Sequence, residues 1–378
     1  MGIAETAGTA GTAGSTGSVE SAGTGSSRLV EVVLPGVVEP EGLRIERREI
    51  PAPAAGQIVV RMEATGVSFA EQQMRRGRYY DQPPFPFVPG YDLVGTVQTA
   101  GAGVAPDLVG KRVASLVKVG GWASHVVLDA ADAVPVPAGV GAAEAETLVV
   151  NGITAWQMLH RKARVRAGGT ILVHGANGGV GTVLVQLARA AGLQVIGTAS
   201  ARHHAALREL GVTPVDYRTE DVPTRVRELA PGGVDAVFDH LGGRSVVDSW
   251  RLLAPGGTLV AYGSATTKDD SGSKQLPVLK ILGRVWLWNV LPNGRHACFF
   301  NVWEGRALGK DRFRARLRAD LTQVFEAFRR GEVTARIAAR LPLTRAAEAL
   351  RLAESGTVAG KVVLVPDTGD ATSTDSSR

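Results

Sequence analysis

Residues 171–181 read ILVHGANGGVG, and they decide the fold. Ile171 to His174 have the composition of a short buried strand. Glycines follow at 175, 178, 179 and 181. Beyond them, Val183, Leu184, Leu187 and Ala191 fall on one helical face within 182–191. Strand, glycine turn and helix in this order make the dinucleotide-binding arrangement. Gly178 lets the backbone approach a pyrophosphate, and Gly181 lets the helix pack close to the strand. The helix start then offers unpaired N–H groups and a positive dipole end. The turn nominates Ala176, Asn177, Gly178, Gly179, Val180 and Gly181 as cofactor-binding. Ala176 stands where the G-x-G-x-x-G pattern has its first glycine, and it is small enough for a tight turn. The alternative is a glycine-rich turn with no ligand.

The surrounding sequence has the same character. After Asn151, strands and helices alternate: strands at 170–174, 194–198, near Val215, 234–239 and 258–262, with helices at 182–191, 202–210, 222–229 and 245–253 between them. Such alternation predicts a doubly wound parallel sheet, with its ligand crevice at the strand carboxyl ends. Those ends carry 175–181, 198–200, Tyr217, 239–243, Gly263 and Ser264. Before Asn151 the chain has short valine-rich segments at 57–63, 93–99, 112–117 and 123–128, separated by glycine turns. This is the pattern of antiparallel strands in a β-rich domain. From about Phe313 the sequence predicts a long amphipathic helix, a short strand, a helix at 344–355 and a closing strand at 361–365. The closing strand is expected to return to the first domain.

With 378 residues the chain is long enough for two domains with real cores. Its 44% hydrophobic and 21% charged residues are ordinary for a soluble globular protein. No apolar run reaches the length of a membrane span. The single cysteine, Cys298, excludes an internal disulfide framework and a Cys-rich zinc lobe. The net charge of +6 is modest. Arg312, Arg314, Arg316, Arg318, Arg329 and Arg330 have the spacing of a solvated helix face; a nucleic-acid patch is the weaker alternative there, because aromatic interleaving is thin. Residues 1–27, almost wholly Gly, Ala, Ser and Thr, read as a disordered tail without signal- or transit-peptide character, and 367–378 read as a second tail. A cytoplasmic protein is expected.

Seven motifs in order carry a family resemblance: GVSFAEQQMRRGRY at 66–79, FPFVPGYDLVGTV at 85–97, GANGGVG at 175–181, VDYRTED at 215–221, DAVFDHLGG at 235–243, LPNGRHACFFNVW at 291–303 and GKVVLVP at 360–366. Over roughly residues 30–365 the chain resembles the medium-chain dehydrogenase/reductases, in the zinc-free quinone oxidoreductase branch that includes zeta-crystallin and the vesicle amine transport protein. The resemblance implies an α/β protein. Its GroES-like β-rich catalytic domain would span 28–150, completed by about 330–366. Its Rossmann NADPH-binding domain would span 151–329. It also implies a homodimer, self-paired through the strand-like segment 297–302.

Where zinc-containing relatives place a cysteine and a histidine, this chain has Ser68 and Tyr91, and its seven histidines lack metal-ligand spacing, so no metal is expected. NAD-specific folds place an acid at the end of the second strand. Here that position is about Ala199, followed by Ser200, Ala201, Arg202 and His203. Arginine without the acid suits a 2′-phosphate, hence NADPH, although Arg202 also fits a plain helix start. Tyr217 matches the family's tyrosine near the adenosine phosphate, and Asn301 is placed by the resemblance to bond the nicotinamide. Without a Lewis acid, the easier reaction is hydride transfer to a quinone or an α,β-unsaturated carbonyl. Tyr79 matches the family tyrosine at the active-site mouth, with Tyr80 its neighbouring alternative. Ser68 falls where many relatives have an asparagine. Tyr79 and Ser68 are therefore the catalytic candidates, against the alternative of packing or loop structure. A pathway-specific enoyl reductase and a weakly catalytic NADPH-binding module remain open as functions.

Overall fold

The computed structural model describes residues 28–265 and 275–367, so both expected tails lie outside the described residues but for Asp367. The first part of the chain forms β1 (Leu29–Val33), β2 (Arg44–Arg48), β3 (Gln57–Val67), α1 (Phe69–Arg75), β4 (Asp92–Ala100), β5 (Arg112–Leu116), β6 (His125–Asp129) and β7 (Val134–Pro135). Helices α2 (Ala142–Leu148) and α3 (Val150–Trp156) lead into β8 (Thr170–Val173), α4 (Gly179–Ala190), β9 (Gln194–Ala199), α5 (His204–Glu209) and β10 (Val212–Asp216). Next come α6 (Val222–Leu229), β11 (Val234–Asp239), α7 (Ser245–Arg251), β12 (Leu253–Ala261), α8 (Leu276–Val290) and β13 (His296–Phe299). The chain ends in α9 (Lys310–Arg329), β14 (Ile337–Pro342), α10 (Ala346–Glu354) and β15 (Lys361–Val365).

Two large sheets organise these elements. The first has the order β14-β15-β3-β4-β5-β7, with β6 also paired to β3. Strand β15 is antiparallel to β3, with Val362 opposite Val67 and Leu364 opposite Thr65. The second sheet is parallel, in the order β10-β9-β8-β11-β12-β13. Written by position along the chain this is 3-2-1-4-5-6, the doubly wound order, whose direction of winding reverses between β8 and β11. Ile171, Leu172 and Val173 are each fully buried, because helices cover both faces of this sheet.

The structure corrects several boundaries. The glycine turn itself forms the first turn of α4, which begins at Gly179 rather than near 182. Helices α1 and α2 lie within the part expected to be β-rich, and α3 lies at its end. The strand-like run 297–302 contributes only its first part to β13; Asn301 and the residues after it turn away. Strand β12 begins at Leu253, inside the expected helix 245–253.

An ammonium group lies inside the first sheet. Lys361 Nζ is 2.9 and 3.1 Å from the two carboxylate oxygens of Asp92 on β4, and 2.6 Å from Glu146 Oε1 on α2. All three side chains are 3% exposed or less. The Asp92 carboxylate also accepts the Val150 N–H at 2.9 Å. Glu146 meets the ammonium without hydrogen-bond angles, and its Oε2 has no partner among the described residues. Burial opposes the charge on Lys361, but Asp92 and Glu146 outweigh it and hold its pKa above the usual lysine range. Gly66 makes room for this: a Cβ there would stand 2.1 Å from Lys361 Cε. Replacing Lys361 with methionine strands a buried carboxylate. We expect a loss of about 3–5 kcal/mol in unfolding free energy, measured by urea denaturation; a loss under about 1 kcal/mol would show that the ammonium does not tie these elements together.

Candidate functional site

The crevice at the reversal point is lined by the loops that follow β8 and β11. After β8, Gly175 adopts φ +65° and its carbonyl accepts the Gly178 N–H at 3.0 Å, closing the turn. A Cβ at Gly181 would stand 2.2 Å from that same carbonyl, so the helix approaches the strand only with glycine there. Ala176 is fully buried, and a Cβ at Gly197 on β9 would meet its methyl at 2.7 Å. The extra methyl at 176 is thus matched by a missing one at 197. A Cβ at Gly178 would meet only the Gly175 carbonyl, at 3.3 Å, so the outer side of the turn is open. Open backbone at the N-terminus of a three-turn helix fits a pyrophosphate. Asn177, Gly179 and Val180 are half-buried around it.

Farther along the sheet, β9 ends at Ala199 with no acid after it. Ser200 is buried and its carbonyl accepts the His203 N–H at 2.9 Å. Arg202 Nε donates to His203 Nε2 at 3.0 Å, and its Nη2 donates to the Gly356 carbonyl in the loop before β15. Burial, and then the positive charge of Arg202, hold His203 below the usual histidine pKa. Tyr217 is exposed, with the Arg218 guanidinium 5.9 Å from its ring centroid. Arg218 is a second arginine at this end that sequence reasoning passed over. The adjacent acid, Asp216, is engaged by the Arg218 N–H at 3.0 Å, which holds its carboxyl below the ordinary range.

The loop after β11 carries a polar network. Asp239 accepts N–H groups from Leu241 and Gly242 and hydroxyls from Ser245 and Ser249, at 2.7–3.1 Å. Ser249 also meets His174 Nε2 at 3.1 Å, and Thr198 Oγ1 accepts the Gly175 N–H at 3.0 Å. His240, within the strand-end segment 239–243, lies against Gly175: a Cβ built there would stand 2.5 Å from the ring. Gly263 and Ser264 close the same rim. A Cβ at Gly263 would meet the His240 carbonyl at 2.6 Å, and one at Gly242 the Ser264 Cα at 2.9 Å.

The catalytic candidates form one connected group. Ser68 caps α1: its hydroxyl accepts the Ala70 N–H at 3.2 Å and donates to Glu71, whose carboxylate also takes the Ser68 N–H. The other Glu71 oxygen accepts the Tyr91 N–H at 2.7 Å. Burial pushes the Glu71 carboxyl above the usual range. The Tyr91 hydroxyl lies 2.8 Å from that of Tyr79 and accepts the indole N–H of Trp303. Burial raises both phenols well above the ordinary tyrosine pKa. Asn301 Oδ1 accepts the Trp303 N–H at 3.0 Å. The structure therefore links Ser68, Tyr79 and Asn301 through Glu71, Tyr91 and Trp303, and this path crosses between the two halves. It leaves Arg202 and Tyr217 at the far end, beyond β9 and β10.

These donors do not fit a zinc ion. The Ser68 proton is given to Glu71, the Tyr91 oxygen is held by Trp303, and Asp92 and Glu146 already enclose an ammonium. Among the described residues no group of three His, Cys, Asp or Glu side chains comes together to hold a metal.

Comparison with known proteins fits this geometry. The family models that match describe an alcohol dehydrogenase GroES-like domain at residues 54–138 and a zinc-binding dehydrogenase at 210–364. The chain is 36% identical over 326 residues to the synaptic vesicle membrane protein VAT-1 homolog of Rattus norvegicus, covering 84% of this chain and 78% of that one. The mycobacterial Rv1454c structure, complexed with NADPH, superposes with a TM-score of 0.74 at 28% identity, over 89% of this chain and all of that one. The CurK enoyl reductase superposes with a TM-score of 0.74 at 25% identity, over 90% of this chain and all of that one. The protein is thus an oxidoreductase built from a GroES-like domain and a Rossmann-type parallel sheet. It belongs to the medium-chain dehydrogenase/reductase family, in the quinone oxidoreductase-like branch. No helix among the described residues is long and apolar enough to cross a membrane.

Burial and nearby His174 hold the His240 pKa down at about 4, against some opposition from Asp239. A histidine whose folded pKa lies below its unfolded value stabilises the fold above the unfolded pKa, and that contribution is lost as pH falls. The window here runs from about 6.5 down to about 4. Urea unfolding across this range should show stability falling more steeply in the wild type than in His240→Gln; parallel curves would place the acid sensitivity elsewhere.

Proposed function

We propose that the protein is an NADPH-dependent reductase of quinones or α,β-unsaturated carbonyls, working without zinc in the cytoplasm. The observations that carry this reading are the open glycine cradle at the reversal point and the linked, buried hydroxyls of Tyr79 and Tyr91 in the first half. Bound NADPH supplies the hydride. The remaining work falls to this chain. The backbone of 176–181 holds the pyrophosphate. Arg202, turned from the Gly356 carbonyl, reads the 2′-phosphate together with Ser200, His203 and Tyr217. Gly263 and Ser264 line the nicotinamide ribose, and Asn301 orients the carboxamide.

An indole N–H can only donate, so Tyr91 accepts from Trp303 and can pass its own proton toward Tyr79. Tyr79 then has a proton to offer the acceptor oxygen as charge develops there. Its raised pKa keeps it protonated throughout the working range. Ser68 acts through Glu71, which it helps to fix beneath the Tyr91 backbone. The substrate is a small molecule. Self-association is supported by Leu279, Trp286 and Val290, exposed on α8 beside the free edge of β13.

A second reading is a pathway-specific enoyl reductase, favoured by the likeness to CurK. The test is NADPH oxidation, followed by loss of nicotinamide absorbance, with phenanthrenequinone and separately with a simple alkenal. Turnover of the quinone alone supports the first reading; turnover of the alkenal moves it to double-bond reduction. Tight NADPH binding with neither substrate reduced favours a dedicated substrate or a weakly catalytic binding module.

Two substitutions probe the cofactor assignment. Gly178→Leu fills the open side of the turn and is expected to weaken NADPH by about 100-fold or more; unchanged binding would remove the loop from the site. Arg202→Ala should cost about 10- to 100-fold in NADPH affinity while leaving NADH within about 3-fold. Equal losses in titration calorimetry would mean that Arg202 does not read the 2′-phosphate.

A further inference from the structure

We propose that His240 is a cofactor-contact residue whose Nε2 accepts a hydrogen bond from an N–H or O–H donor on the nicotinamide half of the bound dinucleotide. This rests on the reading that the crevice takes NADPH. His240 directly follows β11, and the glycine turn directly follows β8. The winding of the sheet reverses between these two strands.

The ring is fixed by the loops that rim the crevice. It occupies the space a side chain at Gly175 would need, with Cε1 2.5 Å from that position. The Tyr262 ring, after β12, lies 5.8 Å away between centroids. The His240 backbone carbonyl accepts the Ala265 N–H at 2.9 Å. The ring thus packs between the Gly175 turn and Tyr262, and its backbone is tied to the segment after β12.

The two ring nitrogens differ. Nδ1 is enclosed, with no hydrogen-bond partner among the described residues, and the His174 backbone lies beside the ring. Nε2 does not share that enclosure. A neutral imidazole carries one N–H and one lone pair. With the proton on the enclosed Nδ1, Nε2 keeps its lone pair beside the glycine turn, 3.2 Å from where a Gly175 Cβ would stand. The ionisable groups around it come from every packed element. Asp239 is satisfied by two N–H groups and two hydroxyls, His174 is buried and bonded to Ser249, and Tyr262 is held protonated by burial.

A lone pair selects its partner. Phosphate oxygens are acceptors and are refused; the ribose hydroxyls and the carboxamide amine of the nicotinamide half are donors. His240 thus takes a donor group and leaves the anionic middle of the ligand to the glycine turn.

The experiment is titration calorimetry of the full chain with NADPH and with adenosine 2′,5′-bisphosphate, which lacks the nicotinamide half. His240→Ala should bind NADPH about 10-fold more weakly and the bisphosphate as the wild type does, with His240→Gln, which keeps an acceptor, recovering part of the loss. If the wild type binds neither ligand, the cofactor reading itself fails. If the wild type binds both and His240→Ala matches it, the contact is refuted. Equal losses for both ligands would also overturn it, by showing a structural role. Ring nitrogen NMR of the unaltered protein gives an independent check should the variants fold poorly: the Nε2 resonance must move on adding NADPH and stay put with the bisphosphate. An Nε2 resonance unmoved by NADPH overturns the proposal.

Discussion

The fold is organised around an internal cation that is part of the chain. Lys361 joins β15 to β4 and α2 within the first sheet, where β15 lies between β14 and β3. Much of the candidate site follows from this placement. Asp92 takes the ammonium and the first N–H of α3, so the helix pair leading to the parallel sheet starts from a fixed point. Tyr91 immediately precedes Asp92, and its backbone N–H is held by Glu71, which also completes the cap of α1. A buried ion pair of this kind adds little net stability over an apolar packing, but losing one member is costly.

The crevice is asymmetric in its chemistry. One end offers arginine, histidine and an exposed tyrosine. The middle offers bare backbone at a helix start. The end nearest the other half offers neutral hydrogen-bonding groups kept neutral by burial. A dinucleotide phosphate has the matching sequence of parts: an anionic ribose phosphate, a pyrophosphate and an uncharged reactive ring. Ion pairs tie the halves together away from this end. Arg314 on α9 bonds Asp132 and Asp129 at 2.6 Å each, fixing the long helix against the first sheet's edge.

The periodic parts of this architecture could be read from sequence. The strand–glycine–helix unit, α6 and β11 declare themselves locally, through apolar spacing and glycine at defined offsets. Ser68 shows what such reading can pass over. Its family position suggested a donor to substrate, while the Ser68-to-Glu71 spacing of a capping box was equally present and describes what its side chain does here. Helix α8 escaped because apolar residues surround it: only Ile281 is buried, so no single face stands out. His240 was legible as a residue of the DHLGG motif but not as a neighbour of Gly175, since that contact exists only once β8 and β11 lie side by side. The Lys361 cluster was beyond reach for the same reason: nothing near position 361 announces a partner 269 residues earlier.

That separation bears on how the molecule is made. A ribosome releases β3, β4 and α2 long before Lys361 exists. Until then the first sheet lacks an inner strand, and two carboxylates destined for burial have no counter-charge. The parallel sheet, by contrast, is contiguous in the chain from β8 to β13 and can close on its own residues. Vectorial synthesis therefore delivers the domains out of order: the one begun first must wait, partly hydrated, for the other to emerge and for the last strand to arrive.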